Sequence, residues 1–222
     1  MKFRITKSLL DAWYWSFKLE DGYDTFMKVL NREPIQPTTK MLKGTQFENC
    51  VNSVLDGNPI PEDHEWFRGV STMAEYLDGS QQQVNLGREI TVDGVTFLVH
   101  GILDYLRAGV VYDCKFTSNY HLNKYLHSAQ HILYLYLVPE ARRFEYCVSN
   151  GTDVFWEKYP RYIVPEPDEI IRDFMRYLDK QNLVDIYTKN WEVSSYGKLE
   201  QIYTGRAGRG RKGHWQAAVR DC

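Results

Sequence analysis

The apolar positions of this chain follow two different periods. In residues 4–18, Leu9, Leu10, Trp13 and Phe17 recur at helical spacing, and Thr6 or Ser8 stands where a cap is needed, which predicts a short helix. Residues 33–40 hold two prolines and read as a connection. Over 43–55, Phe47, Val51, Val54 and Leu55 fall on one helical face, and Asp56-Gly57-Asn58-Pro59 closes that helix. Residues 62–78 read as a further helix. The period then shortens. Segments 88–92, 95–106 and 110–116 are rich in β-branched and aromatic residues and are separated by Asp93-Gly94 and Ala108-Gly109, which predicts strands joined by tight turns. Residues 120–138 return to helical spacing and stop at Pro139. Residues 143–148 and 153–159 read as two strands around Ser149-Asn150-Gly151, and 167–186 as an amphipathic helix opened by Pro167-Asp168-Glu169. Helices, three strands, a helix, two strands and a helix make an α/β domain, a central mixed sheet flanked by helices.

Composition narrows the class without naming a function. The 222 residues are 43% hydrophobic and 25% charged, ordinary globular usage that excludes a disordered chain or a coiled-coil rod. No stretch approaches the ~20 apolar residues of a membrane span, and the first residues lack the apolar run of a signal peptide. The expected location is therefore cytoplasmic. Cys50, Cys114, Cys147 and Cys222 are far apart and form no CxxC pair, so they read as reduced thiols. The net charge is -2, but residues 205–222 carry +4 and the remainder -6. That Gly- and Arg-rich end reads as a basic, mobile tail on a single domain spanning 1–204, able to touch phosphate backbones nonspecifically. Bulk charge alone does not announce a nucleic-acid protein.

The chemistry lies in the middle strands. Asp104 is on a strand whose period places it with His100, Ile102 and Leu106. Asp113 and Lys115 are two residues apart on the next strand, on one face and about 6.6 Å apart. A charged pair inside an apolar strand is costly unless a metal, a partner or solvent matches it. The plain alternative is a solvated ion pair on a surface strand. Two carboxylates from adjacent strands plus a lysine can instead hold a hard divalent cation, magnesium or manganese, and position water.

In order and spacing, Gly101-Ile102-Leu103-Asp104, then Asp113-Cys114-Lys115, then Gln130-His131-Ile132-Leu133-Tyr134 resemble the PD-(D/E)XK nuclease superfamily, specifically its RecB-like exonuclease branch, which includes CRISPR-associated members. The resemblance covers about residues 40–160. It implies a restriction-endonuclease-like core and a Mg2+- or Mn2+-dependent deoxyribonuclease, first an exonuclease acting on DNA ends. A DNA endonuclease of the same fold, or a binding module that kept the fold without catalysis, is the alternative. It implies that Asp104 and Asp113 ligate metal with the Cys114 backbone carbonyl, that Lys115 positions water, and that Gln130 and Tyr134 place the DNA strand and the lysine. The branch's Gly-Thr-x-x-His motif appears as Gly44-Thr45-Gln46-Phe47-Glu48, so Glu48 takes the histidine's place as a metal ligand. The cluster cysteines of several branch members are missing, so no iron–sulfur cluster is expected. No helicase motif is present, which implies a stand-alone enzyme or one subunit beside a recombination or helicase protein. By analogy, its small size suggests a phage or mobile-element enzyme, acting in the host cytoplasm.

Other groups carry less. His127 and His131 are i, i+4 but lack the Glu of HExxH and a third ligand, so zinc is not the reading. His100 reads as a packed or supporting histidine, and Cys114, pointing away from the Asp113–Lys115 face, as a core thiol.

Overall fold

The computed structural model describes residues 1–193, so the basic tail at 205–222 lies outside the described residues. Six strands form one mixed sheet: β1 (Lys2–Thr6), β2 (Gln81–Val92), β3 (Val95–Arg107), β4 (Val110–Phe116), β5 (Arg143–Ser149) and β6 (Val154–Pro160). Around it lie α1 (Lys7–Trp15), α2 (Gly22–Leu30), α3 (Thr39–Leu55), α4 (Phe67–Leu77), α5 (Ala129–Leu137), α6 (Asp168–Lys180) and α7 (Val184–Trp191). The architecture is α/β, consistent with a restriction-endonuclease-like core. Among the described residues no helix is long and apolar enough to cross a membrane.

The pairing of β3 decides where a site can form. The strand runs antiparallel to β2, from Gln81 opposite Leu106 to Val92 opposite Val95, with one break at Asp104. Its other edge is shared by two strands. β1 lies parallel to Thr96–His100, whereas β4 pairs antiparallel only with Tyr105–Arg107. Neither neighbour reaches residues 101–104. β4 leaves to pair in parallel with β5, from Val110 opposite Arg143 to Phe116 opposite Ser149. The sheet therefore forks at Gly101–Asp104.

Two cores pack on this sheet. The first gathers Leu9, Leu10, Phe26, Leu30, Leu133, Phe174 and Tyr187 from the helices onto Phe97, Val99, Leu103, Val111 and Phe144. The second packs Phe47, Val51, Val70, Met73 and Leu77 of α3 and α4 onto Tyr105, Tyr112 and Cys147. Each such side chain contributes about 1.5–3 kcal/mol through burial. The side-chain alternation of β3 slips at the fork: Leu103 enters the first core, Tyr105 the second, and Leu106 packs against the first again. Leu106 thus does not share a simple face with Ile102, which is 45% exposed.

Local structure departs from the hydrophobic pattern in several places. Residues 4–6 are strand, because Phe3 and Ile5 alternate inward, and Thr6 ends that strand and caps α1 by accepting from Leu9 N at 3.3 Å. α2 stands where no element was expected, burying Phe26 and Leu30. The helix expected over 120–138 begins only at Ala129. Residues 120–128 are turns, with Asn123 left-handed at φ 63°, and Ser128 caps α5. The helix expected over 167–186 breaks between α6 and α7, where Asn182 is at φ 56°. The two ends of the described chain meet: Val193 N donates to Lys2 O at 2.8 Å and the Tyr187 hydroxyl to Arg4 O at 3.1 Å.

A Cβ added at Gly101 would stand 2.7 Å from Tyr134 Cε1 and 3.1 Å from Leu137 Cδ1, so α5 lies against bare backbone there. Gly101→Ala is expected to cost about 1–3 kcal/mol through overpacking. Urea unfolding measures it, and an unchanged midpoint would show that α5 is free to move away.

Candidate active site

Continuing the β3–β4 register by one step past Tyr105 and Tyr112 would set Asp104 opposite Asp113. The ladder stops there, and the two carboxylates occupy the opening of the fork. Two side chains satisfy the backbone groups that the parting strands leave. Asp104 Oδ2 accepts from Cys114 N at 3.0 Å, and the Tyr134 hydroxyl donates to Ile102 O at 2.9 Å. The glycine at 101 is what lets the tyrosine ring come close enough to do so.

Asp113 is fully buried in the middle of the sheet. The Lys115 ammonium pairs with its Oδ2, and the Gln130 amide donates to its Oδ1. Oδ2 has that ion pair but no well-directed hydrogen bond, and the Gln130 carbonyl oxygen has no partner among the described residues. The Lys115 side chain is 25% exposed, so its pair faces the opening. Burial alone would lower the Lys115 pKa. The charges of Asp113 and Asp104 outweigh it and hold Lys115 above the ordinary lysine range, firmly protonated.

Asp104, within hydrogen-bonding reach of Asp113, is pushed well above the usual carboxylate range, first by burial and then by the Asp113 charge. Glu48, half-buried in the middle of α3, is also raised, by burial and by Asp113, against the opposing pull of Lys115 and a hydrogen bond from Gln83. These carboxylates sense one another's charge, so three acidic groups and one lysine converge electrostatically on the fork. α5 arrives with the first core and α3 with the second, which lets side chains reach the fork from both sides of the sheet.

Asp104, Asp113, Lys115, Gln130, Tyr134 and Glu48 are thus brought to one place. The donor set suits a hard cation: carboxylate oxygens, with the buried Asp113 Oδ2 lacking a directed hydrogen bond. Among the described residues, however, no three His, Cys, Asp or Glu side chains converge closely enough to hold a metal in this arrangement. Lys115 neutralises Asp113 instead. Cys114 is buried in the second core, as expected of a core thiol, and it and Cys147 are free thiols, whereas Cys50 is not. His131 stacks on Tyr159 at 4.2 Å, its pKa lowered by burial to about 4, while His127 stacks on Tyr14. His131 serves packing, whereas His127 is exposed. His100 is half-buried, its pKa lowered by burial and by Arg4.

Two contributors escape sequence reasoning. Asp11 of α1 accepts from Ala129 N at 3.1 Å and so fixes the start of α5, which sets where Gln130 points. Gln83 of β2 donates from Nε2 to Glu48 Oε1 at 3.1 Å. Neither has a local signal, because each acts across more than thirty residues of chain. A separate cavity of about 370 Å³ lies beside β6, lined by Leu126, His131, Glu157 and Ile163 and not by Glu48, Asp104 or Asp113.

No family model matches the chain, and no curated protein matches it. Among solved structures, one titled "Crystal structure of SSO0001" aligns with it at a TM-score of 0.51 and 15% identity, over 82% of this chain and 78% of that one. A likeness at that identity concerns the fold alone.

The raised Asp104 gives the fold a pH dependence. An unfolded Asp titrates near about 4, whereas the folded one keeps its proton to higher pH. The folded state binds the extra proton, so this contribution falls as pH rises from about 4 through the folded pKa. Glu48 acts in the same direction. Asp104→Asn is expected to flatten that decline and raise stability at neutral pH in the presence of chelator. Urea midpoints across that range check it, and an Asp104→Asn profile parallel to wild type would contradict it.

Proposed function

We propose that this chain hydrolyses DNA phosphodiester bonds with the help of magnesium or manganese. The observation that carries this reading is the fork: three acidic groups and one protonated lysine at the parting of β3 and β4, tied to α5 through Gln130 and Tyr134. Asp104, Asp113 and Glu48 would hold the cation, with the Cys114 carbonyl as a further oxygen donor. When bound, a divalent ion supplies Lewis acidity toward phosphate oxygens and a more acidic water.

The chain's own groups do the rest. Lys115 carries its proton on Nζ, so it acts as a charge and a hydrogen-bond donor toward phosphate or water and not as a base. Gln130 orients Asp113, and Tyr134 holds the backbone of β3 open at Ile102. The partly exposed Lys115 marks the side from which substrate enters. The resemblance of Gln130-x-x-x-Tyr134 to the RecB-like branch favours an exonuclease on DNA ends over an endonuclease. A recombination or helicase protein is the natural partner for such an activity.

End-labelled linear DNA, closed circular DNA and RNA, each with magnesium, manganese or chelator, test the reading. Metal-dependent loss of linear DNA with circular DNA left intact is the expected result, whereas nicked circles would make the enzyme an endonuclease. Asp113→Asn and Lys115→Met are each expected to lower the cleavage rate by a factor of about 10²–10³ or more. Wild-type rates in either variant would overturn the assignment.

A further inference from the structure

Gln83 occupies the position on β2 beside Asp104. β2 pairs Gln82 with Tyr105 and Val84 with Leu103, which leaves Gln83 facing Asp104 where the ladder is interrupted. The backbone at Gln83 is left-handed, φ 51°, inside a strand. A side chain with a Cβ adopts that conformation only at a cost. Strain of this kind persists where the surroundings over-determine it, and it concentrates at functional sites. The side chain of this same residue reaches across to α3 and donates to Glu48. Two observations meet at this exposed residue: a left-handed backbone that breaks the pairing at the level of Asp104, and a side-chain bond to an acidic group of the fork.

We propose that Gln83 is a positioning residue: its left-handed backbone carries the side-chain amide to Glu48 and holds that carboxylate toward Asp104 and Asp113 to receive a divalent cation. The proposal rests on the metal-dependent reading above. The choice of an amide follows from electrostatics. A lysine at 83 would also fix Glu48 but would neutralise it, leaving less charge for a cation. A neutral N–H donor orients the carboxylate and leaves its charge intact, as supporting groups behind metal ligands do. Glu48 projects from a separate element and is bound to Gln83 through one oxygen, Oε1.

Wild type, Gln83→Gly and Gln83→Asn are compared as full-length chains by Mn2+ calorimetry and by thermal unfolding in chelator. Gly and Asn both accept the left-handed region, and neither carries an amide far enough to reach Glu48. Relief of strain is expected to raise Tm in chelator by about 2 °C. Loss of the supporting bond is expected to weaken Mn2+ binding about tenfold. A merely structural glutamine would lower both together. An unchanged Mn2+ dissociation constant in Gln83→Gly, or a fall in its Tm, overturns the proposal while leaving the metal site standing. A wild type that binds no Mn2+ overturns the underlying reading and the proposal with it.

Discussion

Asp113 is a carboxylate with no exposure to water, on a strand between two others in the middle of the sheet. An ionised group in that position is tolerable only when it is paired and hydrogen-bonded. Lys115 supplies the opposite charge from the same strand, and Gln130 supplies the hydrogen bond from α5. Much of the surrounding structure serves to bring those two groups there. α5 must start at Ala129 for Gln130 to point inward, and Ser128 with Asp11 fixes that start. β4 must part from β3 early enough for the lysine to keep one end near solvent.

The fork is therefore a strand-pairing solution on which the candidate site lies. Where two strands separate, backbone donors and acceptors lose their ladder partners and need others. Asp104 takes up Cys114 N and Tyr134 takes up Ile102 O. Gly101 admits the tyrosine ring. Three of the residues that carry the nuclease resemblance thus have structural work that does not depend on any reaction. Lys115 neutralises the buried Asp113, whereas Glu48 neither closes a gap in the ladder nor offsets a buried charge there, which makes it the more telling member of the set.

Five of the six strands were legible from the chain because period-2 runs with Asp-Gly and Ala-Gly turns are local signals, whereas β1 and the order of the strands in the sheet were not. Asp104, Asp113 and Lys115 were singled out by their strand spacing, and Gln130, Tyr134 and Glu48 only by the resemblance; Asp113 meets Lys115 and Gln130, Tyr134 meets Ile102, and Glu48 meets Gln83. What could not be read depends on contacts far apart in sequence. β1 is five residues long and its alternation of Phe3 and Ile5 merges into the helical pattern of Leu9 and Leu10. The late start of α5 is set by a carboxylate from α1. The slip in β3 at Asp104 and the left-handed Gln83 arise from the parting of strands, and a residue count cannot register either.

The meeting of the two ends has a consequence for how the chain is built. β1 precedes its strand partner β3 by about ninety residues, and α7 closes over it after a further ninety. Until those elements are made, Phe3 and Ile5 lack the core they pack into, and β1 waits as an unsatisfied edge. Contacts of such long sequence separation carry the largest loop-closure cost and slow the search for the native state. The contacts among Asp104, Asp113, Lys115 and Gln130 need only β3, β4 and α5, a span of about forty residues, and can form before α7 emerges. Docking of β1 beside His100 would then be a late event in the maturation of this protein, with the outer edge of β3 left open to wrong partners in the meantime.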